Sequence, residues 1–316
     1  MENTRYEKMY LFDQLGKEGH AGLVRKKVAV IGIGATGTVA AEMFVRAGVK
    51  KVMLIDRDVI EVSNLQRQSL FTEADVRKMK AIVAQERLQR MNKEVQIDVF
   101  PVDLDHTNIN LLESVDLILD CTDNFYTRFL VNEFCKQKRI PFVFSAVVGS
   151  RGMVAGLLPD GPCLQCLFAE PTGMIATCAS EGVIGSAVHM IAGMQNIEAV
   201  KILTQKMYES QLLYVDCWGA DIEKIAFDKR KDCPVCAGKY IFLSGKKARD
   251  MVEICGKNVF QVHVKNLDFD KIAEKAEIKT DYCIFFDDMT IFRDGRVLIK
   301  AGSVERAKSL AAGLEG

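Results

Sequence analysis

The chain has no net charge: its 42 lysines and arginines cancel 42 aspartates and glutamates. That balance gives no bulk attraction to nucleic acid or to an anionic membrane surface. Long apolar runs are missing as well. The longest mostly apolar stretch, Val183 to Met194, is interrupted by Ser186, His189 and two glycines, and it is too short to span a bilayer. No apolar signal core occurs in the opening Met-Glu-Asn-Thr-Arg-Tyr-Glu-Lys, so the expected location is cytoplasmic. There is no internal repeat and no low-complexity tract. The single Trp218, the four histidines and the thirteen methionines form no cluster.

Apolar residues make up 49% of the 316 positions, enough for a sizeable core and for two domains. Ten cysteines without a secretion signal point to thiols and metal ligands rather than disulfides. The stretch from Val28 to Asp58 organises the rest. Val28 to Ile31 is a β-branched run suited to a strand buried on both faces. It leads into Gly32, Gly34 and Gly37, spaced G-x-G-x-x-G. This spacing suits a tight turn, close backbone approach to a phosphate, and close helix packing. A helix is expected from Thr38 to Gly48, then a strand from Val52 to Ile55 ending on Asp56, where an acid commonly holds a ribose hydroxyl. The helix N-terminus favours phosphate through its free N–H groups and dipole.

Around this unit strands and helices alternate. Residues 1 to 27 read as a helical lead-in broken by Gly16, Gly19 and Gly22. Further on we expect a helix from Val76 to Met91, strands at Val95 to Phe100 and Asp116 to Asp120, a helix from Phe125 to Lys138 and a strand from Phe142 to Val147. This order specifies an α/β, doubly wound, mainly parallel Rossmann-like sheet. Met153 to Leu158, Tyr214 to Cys217 and Ile225 to Phe227 read as later strands, with a long helix from Glu181 to Lys206. The expected domains are 1–238 and 239–316. The second reads as a small α+β extension: a strand from Val259 to Val264, a helix from Phe269 to Ala276 and a strand from Tyr282 to Phe286. A hairpin from Met289 to Lys300 turns at Asp294-Gly295, and Ser303 caps a closing helix.

Two C-x-x-C pairs, Cys163/Cys166 and Cys233/Cys236, match a tetrahedral, closed and structural Zn²⁺ site that would clamp the second half of the domain. Two independent buried pairs and a redox dithiol are the weaker alternatives. Asp56, Asn64, Arg67, Gln68, Lys80 and Asp123 all fall in segments leaving one edge of the sheet. Arg67 and Lys80 can neutralise a polyphosphate, and Asp123 can hold Mg²⁺. Each residue alone also reads as an ordinary surface charge. As a set they describe ATP better than NAD.

The glycine loop, Asp56-x-Asp58, Asn-Leu-Gln-Arg-Gln at 64–68, Lys80, Asp120-Cys-Thr-Asp-Asn124 and the cysteine pairs resemble the ThiF/MoeB/HesA family. These are prokaryotic relatives of ubiquitin-activating enzymes. Thr177-Cys178 before Glu181-Gly182-Val183 fits the same family, and the similarity spans roughly residues 1–238. The resemblance implies Mg-ATP-dependent adenylation of the C-terminal glycine of a ubiquitin-like sulfur carrier ending in Gly-Gly. It implies ribose and phosphate contacts from Asp56 and Asn64, triphosphate contacts from Arg67 and Lys80, and Mg²⁺ at Asp123. Cys178 would take part in sulfur or acyl transfer, with a sulfur donor protein as a further partner, or be a small buried packing residue. A homodimer is implied too. There the family's N-terminal arginine reaches the neighbouring subunit, and this chain has Lys8, which keeps the charge without the bidentate fork. The loop departs from the family's common Gly-Gly-Leu-Gly by reading Gly34-Ala35-Thr36-Gly37. Rival expectations are an NAD-dependent oxidoreductase on the same fold and a non-catalytic carrier-binding module.

Overall fold

Side chains along β1 (Lys27–Ile31) alternate between two dry faces. Val28 and Val30 join one apolar cluster, Ala29 and Ile31 the other. β2 (Lys51–Ile55) repeats this with Val52 and Leu54 against Met53 and Ile55. Strands buried on both faces need helices on both sides. On one side lie α3 (Ala35–Ala47), through Phe44 and Val45, and α7 (Gly185–Thr204), through Ile191 and Ala199. On the other lies α5 (Phe125–Lys138), through Phe129, Leu130 and Phe134. The computed structural model describes residues 4–168, 181–205, 207–247, 251–254, 259–264, 266–276 and 278–314.

The sheet has eight strands in the order β3-β2-β1-β4-β5-β6-β7-β8. β3 (Gln96–Phe100), β2, β1, β4 (Leu117–Asp120) and β5 (Phe142–Val148) run parallel. β6 (Arg151–Leu157), β7 (Gln211–Asp216) and β8 (Asp221–Ala226) continue it antiparallel. The expected doubly wound, mainly parallel sheet is therefore present.

Three differences have local causes. The helix expected from Val76 is α4 (Lys80–Met91). The residues before it pair instead with 58–60: Val59 bridges Met79, and Arg77 N–H donates to Ile60 O at 2.8 Å. The helix expected from Glu181 begins at Gly185, because Val183 bridges Gly149 and Ile184 N–H donates to Gly149 O. Gly19 and Gly22, expected as breakers, lie inside α2 (Gly16–Leu23), which follows α1 (Glu7–Tyr10). Tertiary packing overrides their propensity: Leu23 is fully buried and His20 Nε2 donates to Ala47 O at 3.0 Å.

The chain divides into two compact units, Met1–Lys246 and Lys247–Gly316. The first extends past Cys236 because the buried Glu133 carboxylate on α5 accepts the backbone N–H groups of Ile241, Phe242 and Leu243 at 2.9–3.0 Å. The second unit is a six-stranded antiparallel sheet ordered β11-β12-β13-β14-β10-β9. Its strands are β9 (Met251–Ile254), β10 (Val259–His263), β11 (Ile278–Lys279), β12 (Cys283–Phe286), β13 (Met289–Phe292) and β14 (Arg296–Lys300). α8 (Phe269–Ala273) and α9 (Val304–Ala312) share its apolar cluster, and the Ser303 side chain caps α9. The hairpin turns at Gly295, φ +90°. Among the described residues no helix is long and apolar enough to cross a membrane.

Candidate functional site

Ile31 pairs with both Ile55 and Asp120, so the loops after β1, β2 and β4 leave the sheet at one edge. The first is the glycine loop. Gly32 has φ +86°, and a Cβ on Gly37 would sit 1.8 Å from Gly32 O, so both positions require glycine. α3 starts one residue after Gly34, aiming its free N–H groups into the loop. Asp56 braces that loop from β2. One carboxylate oxygen accepts Ile33 N–H at 2.6 Å and the other accepts Asp58 N–H at 2.7 Å, and each retains a second lone pair. Burial lifts the Asp56 pKa to about 6, with the nearby Lys80 ammonium opposing the rise.

Lys80 is the first residue of α4 and is buried. Its Nζ lies 3.2 Å from Asp58 Oδ2. Burial alone would lower the ammonium's pKa, but Asp58 and Asp56 more than offset this and raise it. Arg57 donates to both Asp103 oxygens at 2.9 Å. Asp123 is exposed at the tip of the third loop, and its charge acts on Lys80 and Arg57. The 62–68 segment is built on itself: Asn64 Oδ1 accepts Glu61 N–H at 3.1 Å, and Arg67 Nη1 donates to Ser63 O at 2.9 Å. Gln68 is buried with Oε1 unpartnered among the described residues, and its Nε2 lies beside Gly34. Asp56, Asp58, Lys80, Gln68 and the glycines thus converge. Asp58 and Lys80 lie together as an ion pair. The buried Asp56, the Asp58–Lys80 pair and the loop's N–H groups can accept a nucleotide, and the exposed Asp123 can take a hydrated divalent ion.

Sequence reasoning missed the floor of this edge. Asp120 and Arg128 form a buried ion pair, Nε to Oδ2 at 3.1 Å. From α7, Gln195 donates to Asp120 O at 2.8 Å and to Val143 O at 3.0 Å, joining the end of β4 to the start of β5. Nothing along the chain marks Arg128, which reads as an ordinary helical arginine one turn after the cap Asn124.

At the other end of β6, Cys163, Cys166, Cys233 and Cys236 bring their sulfurs within 4.8 Å of one another, with pairs at 3.6, 3.6 and 3.9 Å. A zinc–sulfur bond of about 2.3 Å in a tetrahedron sets sulfur–sulfur distances near 3.8 Å, so the four thiols fit that ion. They join α6 (Leu164–Leu167) and its N-cap Cys163 to the segment after β8. Asn132 on α5 accepts Leu164 N–H at 2.8 Å, holding the first turn. Cys178 lies outside the described residues. Five further cysteines read as packing thiols: Cys121, Cys135 and Cys283 are buried, Cys217 is only half-buried, and Cys255 lies outside the described residues.

A glycine loop, a carboxylate-ringed lysine and a four-thiol knot on a mixed sheet define a nucleotide-binding α/β protein. The chain belongs to the ThiF family, whose model matches residues 6–235. It is 38% identical to the sulfur carrier protein ThiS adenylyltransferase of Bacillus subtilis (strain 168), over 97% of each chain. It is 37% identical to the sulfur carrier protein adenylyltransferase of Thermus thermophilus, over 74% of this chain and 91% of that one. The fold is shared with a crystal structure of E. coli MccB with ATP, at a TM-score of 0.65 and 20% identity over 75% of each chain.

Proposed function

We propose that this chain is an adenylyltransferase that uses ATP to activate the C-terminal glycine carboxylate of a ubiquitin-like sulfur carrier ending in Gly-Gly. The observation that carries this reading is the meeting of the glycine loop, Asp56 and the Asp58–Lys80 pair at one sheet edge, in a chain so similar to a named sulfur carrier adenylyltransferase. The carrier's carboxylate oxygen attacks the α-phosphorus, the bond to the β-phosphate bridging oxygen breaks, and pyrophosphate leaves with that electron pair. The protein's work is positioning and charge stabilisation. Asp56 and Asn64 hold the ribose and a phosphate. Arg67 and Lys80 oppose charge on the departing pyrophosphate, while Gln68 and the loop glycines shape the cradle. Asp123 would hold Mg²⁺, which when bound neutralises phosphate charge.

We assign this activity to the first unit, Met1–Lys246, with Zn²⁺ on the four cysteines as a structural clamp, and treat Lys247–Gly316 as a C-terminal α+β domain. We further infer a cytoplasmic homodimer in which Lys8 works across the interface. A sulfur donor acts on the activated carrier, and Cys178 is the candidate for that transfer. A dehydrogenase has no use for the Lys80–Asp58 pair or Arg67, and a non-catalytic module would not need to retain them. The test is carrier-dependent exchange of labelled pyrophosphate into ATP. Wild type should exchange, and Arg67→Ala should be slowed roughly a hundredfold or more. An unchanged rate would remove Arg67 from the reaction.

A further inference from the structure

We propose that Arg128 is a positioning residue for the adenylation step: it locks the Asp120–Asn124 turn from beneath and so holds Asp123 at the nucleotide edge. This rests on the reading of Asp123 as the Mg²⁺-holding carboxylate. Asp123 itself is exposed, so its placement must come from its neighbours. Both are fixed. On one side, Asp120 Oδ1 accepts Thr122 N–H at 2.9 Å and the Thr122 hydroxyl at 2.6 Å. On the other, Asn124 Oδ1 accepts Thr127 N–H at 2.8 Å and starts α5.

Arg128 ties the first arrangement to the sheet. A side chain one turn into a helix points back toward its N-terminus, which here lies under the turn. Arg128 is ion-paired to Asp120 at 3.1 Å and donates to the Thr122 carbonyl and, at 3.1 Å, to Ser145 O on β5. Its guanidinium lies over the Phe144 ring at 5.0 Å and the Phe125 ring at 5.5 Å. Both partners of the pair are almost wholly buried, with side-chain exposures of 8% and 1%. One planar group therefore holds the turn's carboxylate, its backbone and the next strand together. Lysine keeps the charge but cannot reach these acceptors in a fixed fork.

The experiment is a double-mutant cycle read in two ways. One readout is kcat and KM for ATP in carrier-dependent pyrophosphate exchange. The other is Mn²⁺ affinity, by electron paramagnetic resonance, in the presence of a non-hydrolysable ATP analogue. Arg128→Lys should lower kcat roughly tenfold to a hundredfold, with a smaller change in KM, and weaken Mn²⁺ binding by about tenfold. In an Asp123→Ala background, Arg128→Lys should add less than about twofold to either readout, because both residues act through one carboxylate. Multiplicative losses would overturn the proposal.

Thr122→Val removes only a hydroxyl and leaves every buried charge paired, so it tests the clamp should Arg128→Lys not fold. It should move both readouts in the same direction by a few-fold. Wild-type behaviour of Thr122→Val and Arg128→Lys beside an impaired Asp123→Ala refutes the clamp alone. A fully active Asp123→Ala with unchanged Mn²⁺ affinity refutes the reading of Asp123, and the proposal falls with it.

Discussion

Replacing Lys80 with alanine removes the cation that lies 3.2 Å from Asp58. At that distance and an effective dielectric constant of about 20, two unit charges attract by about 5 kcal/mol. The Asp58 side chain is 45% exposed and that of Lys80 only 9%. Solvent screening of the first and desolvation of the second leave a net of about 1–2 kcal/mol. Lys80→Ala should therefore fold and lose about that much in urea unfolding. Catalysis should suffer more: removing one preorganised charge typically slows the step roughly a hundredfold or more. The pH dependence should move as well. Burial raises the Asp56 pKa to about 6, and the Lys80 charge is the chief force restraining it. In wild type, KM for ATP should rise as pH falls through about 6 and Asp56 loses its charge. In Lys80→Ala the same rise should set in at higher pH. The sign for folding is opposite to that of an ordinary paired carboxylate. Because the folded pKa exceeds the unfolded one, protonation of Asp56 stabilises the fold, fully below the unfolded value near 4, and that contribution is lost as pH rises through about 6. Exchange within about threefold of wild type and a coincident pH profile would refute the role given to Lys80.

Purified, reduced protein should contain zinc, and Cys163→Ser should lose it and melt at lower temperature, since four cysteinates leave no open coordination position; a metal-free protein, or an unchanged melt, would refute the clamp. Glu133→Ala removes three hydrogen bonds of 2.9–3.0 Å to Ile241, Phe242 and Leu243. Bonds to a buried carboxylate contribute about 1.5–3 kcal/mol each, so urea unfolding should show a loss of about 4 kcal/mol or more, and proteases should cut within 239–246. Lys8 is exposed on α1; if it works across a dimer interface, Lys8→Ala should raise KM for ATP and Lys8→Arg should match or exceed wild type. A fully active monomer by light scattering and assay would remove that interface.

The parts of the fold visible in the sequence were those set by neighbours along the chain. The β1–α3–β2 unit was legible because burial on both faces demands an unbroken apolar run and the turn demands glycine at 32 and 37. Each cysteine pair was legible as a turn bearing two thiols. What escaped depended on partners far away in sequence. Residues 76–79 pair with 58–60, and nothing in their helical-looking periodicity reports that. The segment at 239–246 belongs to the first unit because of a glutamate more than a hundred residues earlier. Lys80 was legible as a cation but not as half of an ion pair with Asp58. Arg128 and Gln195 read as ordinary helical residues until β4 and β5 are brought beside them.

The most direct test of the account is pyrophosphate exchange with two forms of one ubiquitin-like sulfur carrier, intact and lacking its last glycine. Both are given at equal concentration with Mg-ATP and wild-type enzyme. The account predicts exchange with the intact carrier and background exchange with the truncated one, because the attacking carboxylate is that of the terminal glycine. Equal exchange with both forms, or none with either, would contradict it.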